Sequence, residues 1–215
     1  MKGDRILITE QHTARARELC DIVTRERVPH MVVSVAGESG AGKSELASEL
    51  GRLLDEAGVT SAVIQQDDYF VFPPRTNHEM RRLNIEQVGP YEVKLGLLDS
   101  NLRSFKRGEN PIYKPLIDYD EDRIDWVERD LGEVDVLVVE GTYTTSLRFA
   151  DLRIFINRTY EDTAEHRRER NRDSHEPFMD EVLVREHEVI AGHRESADVV
   201  VDSSFESIDD RRPGY

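Results

Sequence analysis

Eight consecutive residues, Gly37-Glu38-Ser39-Gly40-Ala41-Gly42-Lys43-Ser44, satisfy G-x-x-x-x-G-K-[ST] at every fixed position. The chemistry of that pattern is anion binding. The glycines let the backbone fold tightly and turn several N–H groups inward. Those dipoles, the start of a following helix and the Lys43 ammonium make one cradle for phosphates, the P-loop. Ser44 is placed to offer a hydroxyl to Mg²⁺, and Glu45 completes the nucleotide-contacting stretch.

Three further groups supply what phosphoryl transfer needs beyond a cradle, namely a held metal and a group that takes the acceptor proton. Asp67 and Asp68 end an apolar run, where a carboxylate can point at the γ-phosphate and accept a hydroxyl proton. The second carboxylate would orient water, metal or substrate; the competing reading of the pair is a turn or helix cap. Glu140 ends the run Val136-Leu137-Val138-Val139 and is the carboxylate expected to reach Mg²⁺, against a reading as a solvated strand end. The stretch His166-Arg167-Arg168-Glu169-Arg170-Asn171-Arg172 is the densest basic segment of the chain. On a helix near the phosphates, Arg167, Arg168 and Arg172 would clamp the transferring group. Otherwise they form a solvated face balanced by Glu161, Asp162, Glu165 and Glu169.

The elements that must position these residues follow from periodicity. The spacing predicts a leading helix over 11–27, a strand over 31–36, and a helix over 43–57 carrying Leu46, Leu50, Leu53 and Leu54. Strands are expected at 59–66, 134–139, 152–156 and 197–201. Helices are expected at 91–107, 161–172 and 179–191. The segment 71–90, with Pro73-Pro74 and Pro90, reads as loop-rich, and 110–130 as mixed and polar. Short apolar runs alternating with helices, without hairpin signals, give an α/β fold: a three-layer sandwich of the P-loop NTPase type with a mostly parallel central sheet, helices on both faces and a helical lid. Ligands of such sheets collect at the carboxyl ends of the strands. The P-loop, Asp67-Asp68, Glu140 and Asp202 all fall at those ends.

The chain has 215 residues and reads as a single domain, 1–215, with a helical lead-in over 1–30, a lid over 161–178 and a polar, fraying tail over 207–215. A formal net charge of −15 disfavours nonspecific contact with nucleic acid or anionic membranes. No apolar run approaches a membrane span, and the N-terminus shows no signal-peptide core. The single cysteine, Cys20, fits a reducing cytoplasm and a small buried apolar role. The seven histidines are scattered, which argues against a structural zinc site. The acidic surface leaves room for a homo-oligomer.

Taken together, GESGAGKS, QQDDYF at 65–70, VLVVEGTY at 136–143, DTAEHRRERNRD at 162–173 and ESADVVVDSS at 195–204 resemble the uridine kinase and phosphoribulokinase branch of the P-loop kinases. The resemblance implies ATP as donor, Mg²⁺ as cofactor and a small-molecule hydroxyl as acceptor. It places the catalytic aspartate on Asp67, the Mg²⁺-associated carboxylate on Glu140 beside Ser44, and the lid arginines on Arg167, Arg168 and Arg172. The loop 202–205 falls where the family covers adenine. Asp68, Tyr69, Glu86 and Tyr119 are the acceptor-side candidates. Here the chain departs from the family: Glu86 would replace a ribose-binding aspartate, and Ile117 stands where an aromatic is expected, with Tyr119 or Tyr113 as substitutes. A nucleoside such as uridine or cytidine is the leading acceptor, with pantothenate, sugar or glycerate kinases as alternatives. A nucleotide-binding regulator without kinase activity is the competing class. The chain lacks the N-K-x-D guanine motif of a GTPase: Asn157-Arg158-Thr159-Tyr160 has neither the lysine nor the aspartate.

Overall fold

In the computed structural model the described residues are 6–164 and 177–213. Strands β1 (Met31–Gly37), β2 (Ser61–Gln65), β5 (Val136–Glu140), β6 (Leu152–Ile156), β7 (Val199–Val201) and β8 (Ile208–Asp210) form one six-stranded sheet in the order β2-β5-β1-β6-β7-β8. All neighbours run parallel except β8, which is antiparallel to β7. The central strands are buried on both sides, so their side chains alternate between two cores. Val33, Val35, Val136, Val138, Ile154 and Ile156 pack under α1 (Glu10–Glu26) and α2 (Lys43–Glu56). Val32, Ala36, Leu137, Val139 and Phe155 face α4 (Leu95–Lys106) through Leu98, Leu102 and Phe105. Helices thus cover both faces, and the three-layer α/β sandwich is observed.

The chain leaves β1 for β2 on one side, while β6 lies on the other side of β1. That reversal of direction opens a crevice at the carboxyl end of β1. The parallel register brings Gly37 level with Ile156, and Gln65 level with Glu140. The residues singled out for chemistry therefore leave one sheet edge.

Four expectations are corrected. Residues Ile112–Asp118 (β3) and Arg123–Arg129 (β4) form an antiparallel hairpin where the sequence shows no hairpin signal. Its turn lacks an Asn-Gly pair. The Asp118 carboxylate instead accepts from the backbone N–H groups of Asp120 and Glu121, and Asp122 takes a left-handed φ of 50°. The expected loop at 71–90 contains α3 (Pro74–Leu83), because a proline at the first helical position starts a helix instead of breaking it. The helix expected at 91–107 begins at Leu95, after a separate 3-10 turn at Pro90–Glu92. The tail does not fray throughout: Ile208–Asp210 closes the sheet edge as β8, and Arg212 ties it back by ion pairs to Asp210 and to Glu26 of α1. A last helix, α5 (Pro177–Ile190), carries Val182, Leu183 and Ile190 inward. Among the described residues, no helix is long and apolar enough to cross a membrane.

Candidate active site

The phosphate-binding loop leaves β1 at Gly37 and enters α2 at Lys43. Gly40 and Gly42 have φ of 80° and 99°, the left-handed region that glycine adopts without steric cost. At Gly42 the space is closed as well: a Cβ would lie 3.0 Å from His12 Nε2 and 3.2 Å from Phe205 Cζ. Lys43 Nζ donates to the Glu38 carbonyl at 2.8 Å, folding the ammonium over its own loop. Glu45 lies buried in the first turn of α2.

Ser44 Oγ donates to Glu140 Oε1 at 3.1 Å, and Gln65 Nε2 donates to the same oxygen at 3.2 Å. The β2–β5–β1 register makes this meeting possible. Burial pushes the Glu140 carboxyl up to about 7; the nearby Asp67 charge adds to the rise, and Lys43, Ser44 and Gln65 oppose it. Among the described residues, no group of three or more His, Cys, Asp or Glu side chains is arranged to hold a metal by itself.

Asp67 lies in the 3-10 turn Gln66–Tyr69 that ends β2. Desolvation raises its pKa; Lys43 and Arg81 pull it down, while Glu186 and Asp68 raise it further. Its carboxylate accepts no hydrogen bond from a described residue. The turn is fixed from below: Gln66 Oε1 accepts from the Tyr143 N–H at 2.8 Å. A Cβ at Gly141 would lie 2.2 Å from Gln66 Cβ, so the glycine of the Glu140-Gly141 pair is there to let the two strand ends approach.

The acceptor-side candidates fall in different places. Asp68 is buried and accepts from Lys114 Nζ at 2.6 Å and from the Ile117 N–H at 3.2 Å, tying the turn to the β3–β4 hairpin. Tyr69 is fully buried, its hydroxyl accepting from Asn101 Nδ2 at 2.9 Å, a packing position instead of a substrate-facing one. Tyr119, in the hairpin turn, is beside Asp67: burial pushes its phenol up, with Asp67 and Asp68 adding to the rise. Glu86 is exposed and pairs with Arg185 of α5 at 2.6 Å. Ile117, where an aromatic was expected, is a core residue. Arg167, Arg168 and Arg172 lie outside the described residues.

Sequence reasoning missed a second shell of charge. Glu92 is buried and receives both arms of Arg81 at 2.7 and 2.8 Å, with Asn77 Nδ2 at 3.1 Å and the Gly89 N–H at 3.3 Å. Glu186 of α5 accepts from the Ser39 N–H at 2.8 Å and from Ser39 Oγ at 3.1 Å. The next residue, His187, places Nδ1 2.6 Å from Glu38 Oε1, and the other Glu38 oxygen accepts from the Tyr160 N–H. One signal for Glu186 was legible: it falls midway between Val182 and Ile190, a carboxylate on an otherwise apolar helix stripe. Across the site, Asp202 caps its own loop through Ser204, Glu206 and Ser207. That loop presents Phe205, buried between the His12 ring at 4.9 Å and the Arg158 guanidinium at 5.3 Å.

Residues 32–203 match the Phosphoribulokinase / Uridine kinase family across the loop, the Asp67 turn, the Glu140 strand and β7. The chain belongs to that family. It is similar to a bifunctional alpha-galactosidase/sucrose kinase of Mediterraneibacter gnavus, 27% identical over 201 residues that cover 87% of this chain and 21% of the relative. It is also similar to a uridine kinase of Ureaplasma urealyticum, 34% identical over 131 residues that cover 59% of this chain and 61% of the relative. The chain thus spans less than two thirds of the length of these curated relatives. Among solved structures, a possible uridine kinase from Bacillus stearothermophilus shares the fold: TM-score 0.69, 20% identity, 87% of this chain and 97% of that one covered.

Proposed function

We propose that this family member is a Mg²⁺- and ATP-dependent kinase that transfers the γ-phosphate to a hydroxyl of a small molecule. The observation that carries the reading is Asp67: a desolvated carboxylate with no hydrogen-bond partner among the described residues, in electrostatic reach of Lys43 at the phosphate-binding loop. In this reading residues 37–45 hold the donor phosphates through backbone N–H groups and Lys43. The residues fit a divalent cation: Ser44 and Glu140 bring two hard oxygen donors together, and a cation would keep the buried Glu140 ionised. Bound there, Mg²⁺ supplies neutralisation of charge on the β- and γ-phosphates. Asp67 accepts the proton of the attacking hydroxyl, and its desolvation makes it a stronger base than an exposed carboxylate. Arg167, Arg168 and Arg172 would offset charge on the transferring group.

The acceptor has two supported classes. The similar uridine kinases favour a nucleoside such as uridine or cytidine. The sucrose kinase relative favours a sugar, and its similarity extends over a larger share of this chain. The test is acceptor-dependent ADP release by the purified protein with Mg·ATP across nucleosides, sugars and small hydroxy acids. The reading is lost if ATP binds and no compound in the panel is phosphorylated. A nucleotide-binding regulator would then be the surviving alternative.

A further inference from the structure

The acceptor side of the site holds a polar group that no described residue satisfies. Tyr143 follows Glu140-Gly141-Thr142 out of β5 and is 1% exposed, and its hydroxyl has no hydrogen-bond partner among the described residues. Leaving a buried hydroxyl unpaired costs on the order of 1–3 kcal/mol. A phenylalanine would have filled nearly the same space without that cost. The groups whose charges reach the phenol are Glu186, Glu92, Arg81 and Asp67. Its backbone N–H donates to Gln66 Oε1 at 2.8 Å, so the residue lies beside the Asp67 turn, on the side of the phosphate-binding loop where an acceptor would sit.

The partners around it decide what kind of acceptor fits. Glu186 is 5% exposed, and among the described residues each of its oxygens takes one hydrogen bond, both from Ser39, which leaves further acceptor capacity on each. Glu92 is filled by Arg81, Asn77 and the Gly89 N–H. Asp67 is unbonded. Of the cations beside Asp67, Arg81 is committed to Glu92 by two hydrogen bonds, and Lys43 belongs to the loop. Three carboxylates, Glu186, Glu92 and Asp67, thus lie within electrostatic reach of the phenol, and the cations beside Asp67 among the described residues, Arg81 and Lys43, are already engaged. An anionic acceptor would meet these charges in addition to the γ-phosphate. A sugar-type hydroxyl suits them, because it donates and accepts at once: it can donate to Glu186 and accept from Tyr143.

We propose that Tyr143 and Glu186 are the acceptor-recognition pair of this kinase, and that they select an uncharged, polyhydroxylated acceptor against phosphorylated or carboxylated ones. The proposal rests on the kinase reading above and narrows its substrate class. Neutral nucleosides and free sugars fall inside the class. Sugar phosphates, glycerate and pantothenate fall outside it.

The test uses the full chain, with Tyr143→Phe, which removes one oxygen and keeps the ring, and Glu186→Gln, which keeps shape and removes charge. Circular dichroism melts confirm folding. With the best neutral acceptor, Tyr143→Phe should raise the acceptor KM about tenfold, the effect of one hydrogen bond, and leave the ATP KM within twofold. Glu186→Gln should raise the acceptor KM and also shrink the preference for neutral over anionic acceptors about tenfold, a change that a purely structural role would not produce. The proposal is overturned if an anionic compound is the best acceptor, or if both variants keep the acceptor KM within twofold of wild type. If no compound turns over, the kinase reading fails separately. Calorimetric titration of the same panel with a non-hydrolysable ATP analogue then decides: neutral polyol binding weakened by Tyr143→Phe supports the pair, and absent or anion-preferring binding overturns it.

Discussion

Asp68 and Lys114 form a buried ion pair, Oδ2 to Nζ at 2.6 Å, that joins the turn after β2 to the β3–β4 hairpin. Lys114 also donates to the Pro115 carbonyl, and Asp68 takes the Ile117 N–H, so the pair is fully embedded in hydrogen bonds. Breaking such a pair leaves an uncompensated buried charge, at a cost of roughly 3–5 kcal/mol, whereas replacing both members with apolar groups is often nearly neutral. Asp68→Ala should therefore lower unfolding stability by about 3 kcal/mol or more. The double variant Asp68→Leu with Lys114→Met should recover most of that loss. Urea denaturation of wild type, Asp68→Ala and the double variant makes the comparison. A double variant as unstable as the single would show that the pair does more than neutralise itself.

Asp67, one residue away, carries the opposite expectation. Its turn is held in place by its own backbone and by the Asp68 anchor, and among the described residues no hydrogen bond depends on the Asp67 carboxylate. Asp67→Asn removes a desolvated charge and should leave the melting temperature at or above that of wild type near neutral pH. It should lower kcat by about 10²–10⁴, the usual worth of a positioned general base, and leave ATP binding intact. Kinetics with a validated acceptor, together with a fluorescent ATP analogue titration, would separate the two effects. Unchanged kcat would remove Asp67 from the base role.

How much of this was legible in the sequence depended on what fixed each residue. The strands of the parallel sheet were readable because β1, β5 and β6 are buried on both faces and read as nearly continuous apolar runs. Glu140 stood out for the same reason: a carboxylate closes an apolar run. The β3–β4 hairpin was not readable, since its turn relies on Asp118 capping instead of glycine, and Pro115 interrupts the strand pattern. Asp68 looked like a ligand because its partner, Lys114, is supplied by that unread hairpin. Arg81, Glu92 and Glu186 were missed because their partners lie far along the chain, on elements whose packing only tertiary structure defines. The acceptor half of the site is built mostly from such pairs, which is why the donor half was the clearer one.

Glu140 gives a pH dependence to the metal-free protein. Its folded pKa is pushed up to about 7 from an ordinary 4.5, so the folded state binds the proton more tightly than the unfolded state. The stability tied to that proton is fully present below about 4.5 and is lost as the pH rises toward 7. Glu140→Gln keeps a neutral group of the same shape at every pH. Its melting temperature should exceed that of wild type by a margin that grows between pH 5 and about 7.5 in the presence of a chelator. Added Mg²⁺ with ATP should stabilise wild type more than the variant. A margin that is flat with pH would show that Glu140 is ionised throughout.

Gly42 tests whether α1, which precedes the segment matched to the family, supports the nucleotide cradle. Its φ of 99° is unfavourable for any residue with a Cβ, and the added atom would press on His12 Nε2 and Phe205 Cζ at 3.0 and 3.2 Å. Backbone strain of this kind costs on the order of 1–3 kcal/mol. Gly42→Ala should therefore melt earlier and bind ATP more weakly, because the loop must shift the N–H groups that face the phosphates. Adding His12→Ala to Gly42→Ala removes the closer of the two contacts and leaves the Phe205 contact and the backbone part. Scanning calorimetry and ATP titration of the single and double variants should show a partial rescue of both stability and affinity. If the double variant is no better than Gly42→Ala alone, the contact with α1 does not shape the loop, and the left-handed φ together with Phe205 accounts for the requirement for glycine.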